Sequence, residues 1–569
     1  MKRNKTKLII TAIIATINTN ISAEILLNEI NVSADASKGG LSEAYTGGQI
    51  ARGTRIGILG TMDLLKTPFS ATSYTNELIQ DQQAQSVGEV LLNDPTVRAT
   101  RGYGNFQEMY FIRGFPVPSD DMTYNGLYGI LPRQYVPTEF VERVDVFRGA
   151  NTFLSGGAGA ANGFGVGGMI NIVPKRAQNN DLNRFTTTLY QRGHWANAFD
   201  ISRRYGENAE MGVRISGSVR DGEQSIKNED KELDNLIAAF DINGDGFRIS
   251  ADIGHSNHVL NSPRPSVTPT GKAPGVPDSS DNFAQPWSFS KERATFGTVR
   301  AEVDLDASTT AWLAFGAKES EEHNRLANAT SATYSGDITA YRFENKKEDS
   351  VFSKELGIKK EFVSESFGRH ELVASYNSYN IESKNAYEWS NNFSSNIYNF
   401  VEVPLESSVL YSGASLQSPV KTEVIHNSSW AIADTISLLD DDLKVMLGLR
   451  EQTIKNTNYG YDGVRSAANS KEDKEVTPLA TVLYRVNKLV SVYGNYVEAL
   501  SAGQIAPWNA ANSGTRLANY TSEQYEVGIK YDARFFGGSI ALFTTDKPFG
   551  LRESGSNIFK EAGEQRNRG

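Results

Sequence analysis

The sequence predicts a transmembrane β-barrel with a small mixed α/β domain ahead of it, on three observations. No stretch beyond the first residues is apolar over the roughly 18–20 positions that a membrane-spanning helix needs. From Arg184 onward, segments of about ten residues alternate apolar and polar positions, as strands do when one face meets lipid and the other a lumen. The connections between those segments are unevenly short and long, as in a barrel with one turn side and one loop side.

Composition agrees. The chain has 569 residues, 39% of them hydrophobic, too few for a helical membrane protein, while 50 glycines and 24 tyrosines suit many strands joined by turns. With no cysteine, a disulfide framework, a thiolate metal site and a cysteine nucleophile are all excluded. The net charge of −10 argues against a nucleic-acid partner, whose phosphates require a basic face.

The N-terminus reads as an export signal over residues 1–23. Lys2, Arg3, Lys5 and Lys7 precede an apolar run from Leu8 to Ile17, and Ile21-Ser22-Ala23 offers a cleavage site before Glu24. Residues 24–66, rich in Gly, Ser, Ala and Thr, read as a flexible arm. Residues 67–177 read as the mixed domain. Ala84, Val87, Val90 and Leu91 have helical spacing, ending before Asn93-Asp94-Pro95, and Met109–Ile112, Val141–Phe147 and Met169–Val173 read as buried strands. Residues 178–569 read as the barrel. Its clearest strands are Met211–Arg220, Leu236–Ile242, Phe247–Ile253, Val299–Leu305, Ala311–Lys318 and Leu443–Thr453, then Ala480–Val486, Val490–Val497, Tyr525–Tyr531 and Ser539–Thr545. Asn243-Gly244-Asp245-Gly246 is a short turn, and His255 to Lys291 a long polar excursion. A barrel this wide needs something to fill its pore, and the mixed domain is the obvious plug.

In this order the chain resembles the TonB-dependent siderophore receptors, over nearly its whole length and with a lean towards ferrichrome and other hydroxamate receptors. The residues Glu29, Ile30, Asn31, Val32, Ser33 and Ala34 resemble the family's TonB box. Thr67-Pro68-Phe69-Ser70, Asp81-Gln82-Gln83-Ala84 and Asn93-Asp94-Pro95-Thr96-Val97-Arg98 resemble the start of its plug. Phe111-Ile112-Arg113-Gly114-Phe115, Asn125-Gly126-Leu127, Glu142 to Gly149 and Asn171 to Arg176 continue it. Ser522 to Gly528 is similar to a recurrent barrel-strand motif. The resemblance implies a 22-stranded barrel. About seventeen strands are legible before Gly569, so it also implies an acidic strand position and several further strands beyond, and the sequence reads as C-terminally incomplete.

The resemblance further implies the working parts. Arg113 and Arg148 would lock the plug by pairing with barrel glutamates, one of them Glu526. Arg101 and Tyr103 would lie on an apical loop that meets the siderophore, with Phe106, Tyr128, Arg133 and Tyr135 alongside. Aromatic walls with few bases suit a bulky, nearly neutral chelate, which favours hydroxamates over anionic catecholates. Ferric iron would arrive wrapped in the siderophore, so no protein metal site or other cofactor is expected; the six histidines are scattered. No P-loop exists, since Gly271-Lys272 is followed by Ala273, and energy must come from TonB and its inner-membrane complex. TonB would capture the box as an added strand. No signalling domain fits in the arm. The expected setting is the outer membrane of a Gram-negative bacterium, with lipid around the barrel and no enzymatic activity. A haem or cobalamin receptor would share this architecture, and a porin or adhesin would lack the plug. Asp241 to Gly246 imitates a calcium loop but has strand alternation on both sides, and Gly163 to Gly168 matches GxGxxG but leads into a strand, not a helix.

Overall fold

The computed structural model of the chain describes residues 41–101, 107–156, 165–533 and 535–569. The expected export signal and the segment Glu29–Ala34 lie outside the described residues.

The N-terminal part is built on a six-stranded sheet. Its strands are β1 (Ile50–Ala51), β4 (Ser70–Thr75), β8 (Thr123–Tyr124), β9 (Leu127–Tyr128), β10 (Val141–Arg148) and β11 (Gly168–Pro174), in the order β1-β4-β10-β11-β8-β9. The strand β10 is central and antiparallel to both neighbours, with Asp145 opposite Ser73 on one side and Asn171 on the other. It carries Val144, Val146 and Phe147 into the core, and every residue of β11 is buried. Smaller sheets join β2 (Gly53–Arg55) to β3 (Thr61–Asp63), and β5 (Val97–Arg101) to β6 (Glu108–Ile112) and β7 (Phe115–Pro118).

Two short helices stand where the apolar spacing predicts one. Helix α1 (Asn76–Gln82) is capped by the Thr75 hydroxyl and stops at Gln83, whose φ of 53° is left-handed. Helix α2 (Val87–Leu91) restarts under a Ser86 cap and buries Val87, Val90 and Leu91.

The expected arm is shorter than its composition implied. Residues 41–66 are not a loose tether. Beyond β1, β2 and β3 they form 3₁₀ turns at Gly57–Leu59 and Leu64–Lys66. Ile56, Ile58 and Leu59 bury in a cluster with Phe69, Phe153 and Leu154. These apolar residues are too few and irregular to show a period, yet their burial outweighs the Gly-rich chain's preference for disorder.

The second part is one antiparallel sheet of seventeen strands in chain order. They are β12 (Leu182–Leu189), β13 (Trp195–Tyr205), β14 (Met211–Glu223), β15 (Asp230–Gly244), β16 (Phe247–Asn261) and β17 (Phe289–Asp306). Then come β18 (Thr309–Ala332), β19 (Asp337–Ser364), β20 (Gly368–Asn396), the two-residue β21 (Leu410–Tyr411) and β22 (Val420–Leu438). The last are β23 (Leu443–Tyr459), β24 (Arg465–Arg485), β25 (Val490–Ser501), β26 (Tyr520–Asp532), β27 (Gly537–Arg552) and β28 (Phe559–Arg568). Within this sheet β12 and β28 each pair along one side only. Leu236, Phe240, Phe315, Leu356, Trp430, Ile432, Leu447 and Val527 are exposed on the outer face, the apolar band that lipid covers.

The sheet wraps the N-terminal domain, and the two share cores. Tyr124 and Phe140 of the plug and Phe296 of β17 form an aromatic triad with centroids 5.6–6.1 Å apart. Val373, Ala431, Met446 and Val497 of the wall join the cluster around Phe153.

Candidate ligand vestibule and plug–barrel contacts

The plug is fastened differently along different walls. Along β13 to β16 the fasteners are ion pairs. Lys175 reaches Asp200 at 2.9 Å, Arg214 grips the same carboxylate at 2.8 Å, and both terminal nitrogens of Arg176 contact Asp252. Arg204 of β13 pairs with Asp241 of β15 at 2.7 Å within the barrel wall and donates to the Ala177 carbonyl of the plug at 3.1 Å. Arg220 of β14 pairs with Glu139 of the plug. Burial opposes ionisation of Glu139, but the Arg220 guanidinium outweighs it and holds the carboxyl below its usual range.

Along β25 to β27 the fasteners are mixed. Arg113 meets Glu526 at 2.5 Å, their side chains 4% and 0% exposed, and the Tyr493 hydroxyl donates to the same carboxylate at 2.6 Å. The guanidinium also lies 4.0 Å from the Phe543 ring centroid. Lys530 donates to the carbonyls of Leu64, Thr67 and Phe69 at 3.1, 2.5 and 2.6 Å. Arg148 pairs with Asp94 and donates to Thr96 and Thr72 inside the plug. The sheet register explains this, because Arg148 opposes Ser70 on β4 and so faces the plug's own Asn93-Asp94-Pro95 turn.

On the side of the long loops, residues 119–135 of the plug meet β17, β18 and β19. Arg133 is the hub. Its guanidinium contacts Glu322 at 3.0 Å, Asp120 at 3.2 Å and Gln107 at 3.0 Å. Its backbone N–H and that of Gln134 donate to Glu292 at 2.5 and 2.8 Å. Lys318 donates to the Leu131 carbonyl at 3.0 Å. Beside this layer the buried Asp121 has no cation against it among the described residues. Burial, then the neighbouring Asp120, pushes its carboxyl well above the usual range.

Aromatic side chains stand one layer above. Asn324 of β18 touches Gln134 and so faces the lumen; it opposes Asn345 of β19, which opposes Tyr387 of β20. Residues two apart share a face, so Phe343, Tyr387 and Trp389 face the same way. Tyr387 stacks on Trp389 at 5.2 Å and on Phe343 at 6.0 Å, and meets Tyr461 edge-on at 5.1 Å. The result is an apolar wall over a charged floor, an arrangement that can hold a bulky ligand by its surface and orient it by a few polar contacts.

The predicted ligand residues fall in three places. Tyr103 and Phe106 lie outside the described residues, as does the side chain of Arg101, whose backbone ends β5. Arg133 is in the vestibule floor. Tyr128 and Tyr135 are enclosed, at 7% and 5% exposure. Tyr128 donates to Ser155 at 2.8 Å. Tyr135 donates to the Gln85 carbonyl at 2.9 Å and stacks on His258 at 4.9 Å. Reading the plug alone missed the barrel aromatics; their signal was the Tyr387-x-Trp389 spacing in an otherwise polar segment.

The chain matches the family model described as "TonB dependent receptor-like, beta-barrel" over residues 230–569. It matches the "TonB-dependent Receptor Plug Domain" over residues 63–164. It is 35% identical to the ferrichrome receptor FcuA of Yersinia enterocolitica over 537 residues, which is 93% of this chain and 70% of that protein. Among solved structures, BauA, the ferric preacinetobactin receptor of Acinetobacter baumannii, superposes with a TM-score of 0.82 at 28% identity, covering 92% of this chain and 78% of that one. FpvA, the pyoverdine receptor of Pseudomonas aeruginosa PAO1, superposes with a TM-score of 0.78 at 14% identity, covering 95% and 79%, which speaks for the fold. The chain belongs to the TonB-dependent receptor family, as an outer-membrane β-barrel with its plug domain seated in the lumen.

Proposed function

We propose that this receptor takes up a ferric siderophore across the outer membrane, and that the siderophore is a hydroxamate of the ferrichrome kind. The 35% identity to a ferrichrome receptor, sustained over 93% of the chain, carries this reading. The vestibule supports it. Its aromatic wall offers contact area to a bulky chelate, and its cations Arg133 and Lys318 are committed to Glu322 and to the Leu131 carbonyl, leaving little attraction for a strongly anionic catecholate. Iron is cargo in this scheme, held by siderophore oxygens. Arg133 and the barrel aromatics Phe343, Tyr387 and Trp389 would contact the chelate, with Arg101, Tyr103 and Phe106 on the apical loop. Tyr128 and Tyr135 would set the shape of the floor from beneath. TonB would supply the work by pairing with Glu29–Ala34. The domain plan that goes with this is export signal 1–23, arm, plug to residue 177 and barrel from 178.

The test is to delete Glu29–Ala34 and measure binding and uptake of radiolabelled ferrichrome separately. Binding should persist and energy-dependent uptake should vanish. Uptake equal to the parent receptor's would refute the mechanism, and absence of binding in the parent would refute the substrate class.

A further inference from the structure

We propose that Arg450, on barrel strand β23, is a positioning residue for uptake: it holds one plug helix against the wall and thereby fixes the underside of the vestibule. The role in uptake rests on the function proposed above; the fastening itself does not.

The helix is α3 (Thr152–Ser155), whose four residues are all buried. Arg450 is wholly buried too, and its Nε donates to the carbonyl of Phe153 at 2.6 Å. Its Nη1 donates to Ser429 at 2.7 Å and to Asn377 at 3.2 Å, and Ser429 in turn donates to the Gly156 carbonyl at 3.3 Å. The barrel therefore caps the carbonyl end of α3 with a cation and a hydroxyl, the groups a helix C-terminus favours. Gly448, on the same face two residues earlier, completes the socket. A Cβ there would collide with the Phe153 ring.

What α3 touches on its other sides gives the fastening its meaning. Ser155 accepts from Tyr128, which underlies the vestibule. The Leu154 backbone lies against Gly57, where a φ of 48° and the nearby carbonyl leave no room for a side chain. Gly57 belongs to the N-terminal segment that leads back towards the arm. Helix α3 thus sits between the segment on which TonB would pull and the floor on which the ligand would rest.

The fastening is of the kind Lys530 makes with plug carbonyls and differs from the guanidinium ion pairs. Arg113, Arg176 and Arg220 each pair with a carboxylate across the plug–barrel boundary. Among the described residues no carboxylate pairs with Arg450, and its Nη2 makes no hydrogen bond. Parting an ion pair in a dry lumen strands two charges. Parting Arg450 from the neutral Phe153 carbonyl strands one, which rehydrates as soon as water enters. Such a contact is firm in the closed lumen and yields when the plug is pulled.

The experiment compares Arg450→Met, Arg450→Lys and Gly448→Ala in cells lacking TonB, with vancomycin entry and ferrichrome affinity as the two readouts. Loss of two or three charge-assisted hydrogen bonds should raise vancomycin entry about tenfold or more in Arg450→Met. Arg450→Lys should restore part of the seal, and Gly448→Ala should leak while keeping the guanidinium. Ferrichrome affinity should fall several-fold in both leaking variants, through Tyr128. Wild-type entry in Arg450→Met, with normal amounts of folded barrel, would overturn the proposal. So would weakened ferrichrome binding without any leak, which would make Arg450 a ligand contact. Should the parent receptor not bind ferrichrome, the proposed function fails, and vancomycin entry still decides the role of Arg450.

Discussion

Removing the Arg113 guanidinium should loosen the plug, and the size of the effect follows from its surroundings. Arg113 and Glu526 are 4% and 0% exposed, so a leucine at 113 leaves a carboxylate without its guanidinium partner inside the lumen. Stripping one partner from a buried pair costs about 3–5 kcal/mol. Two neighbours soften this, because the Tyr493 hydroxyl still donates to Glu526 and Lys530 interacts with it through charge. We therefore expect about 3 kcal/mol, the low end of that range, or roughly a hundredfold shift towards the unseated plug. Hydrogen exchange of plug amides in detergent, read by mass spectrometry, measures that opening directly. Glu526→Leu should cost a similar amount, and the double variant much less than the sum, because each single change removes the same interaction. Additive costs, or a loss below about 1 kcal/mol for Arg113→Leu, would mean that the pair is not what holds this wall.

Other sites give independent checks. Lys530→Met abolishes three hydrogen bonds to the Leu64, Thr67 and Phe69 carbonyls, and at a net of about 1.5–3 kcal/mol for one charge-assisted bond should loosen the chain enough for trypsin to cut at the exposed Lys66. Gly129 has a φ of 73° and would place a Cβ 2.5 Å from the Tyr379 ring, so Gly129→Ala should destabilise the plug by about 2–4 kcal/mol in thermal melts. His194, in the β12–β13 turn, is held down to about 4 by burial and the nearby Lys231 and Arg220 charges. Because the unfolded turn binds the proton more readily, its stability should decline as pH falls from about 6.5 towards 4, visible as faster amide exchange at the turn.

The legible part of the fold was the part that meets lipid. Predicted strands such as Met211–Arg220 and Val490–Val497 begin where the observed β14 and β25 begin, at the short turns, because apolar alternation is imposed there by the membrane. Their other ends ran on unseen. Ala311–Lys318 is the lower third of β18, which continues to Ala332 through Glu319, Glu321 and Asn324, where an exposed polar outer face and polar inner contacts with the plug remove the apolar pattern. For the same reason the polar excursion from His255 is partly strand, and its loop is confined to 262–288. In the site, Arg113 and Glu526 could be paired from motif order, since both stand in recognisable strings. The Asp94 contact of Arg148 could not be read that way, because it depends on which face of β10 turns towards the Asn93-Asp94-Pro95 turn. Arg450 was invisible: its partners are the Phe153 carbonyl and the side chains of Ser429 and Asn377 on neighbouring strands, a grouping that no linear pattern encodes.

The length of β19 and β20 shapes how the mouth of the receptor can work. At 28 and 29 residues they far exceed the 9–11 residues that cross the hydrocarbon. Their upper parts rise from the lipid as a hydrogen-bonded palisade, with β19 joined to β18 across the top by a hairpin at 333–336. A ladder bonded on both sides cannot swing as a lid. On this flank the rim is a stiff breakwater, and any folding of the mouth over a captive ligand must come from segments such as 262–288, 397–409 and 502–519, which leave the ladder. Closure would then be one-sided, like an eyelid against a fixed lower rim.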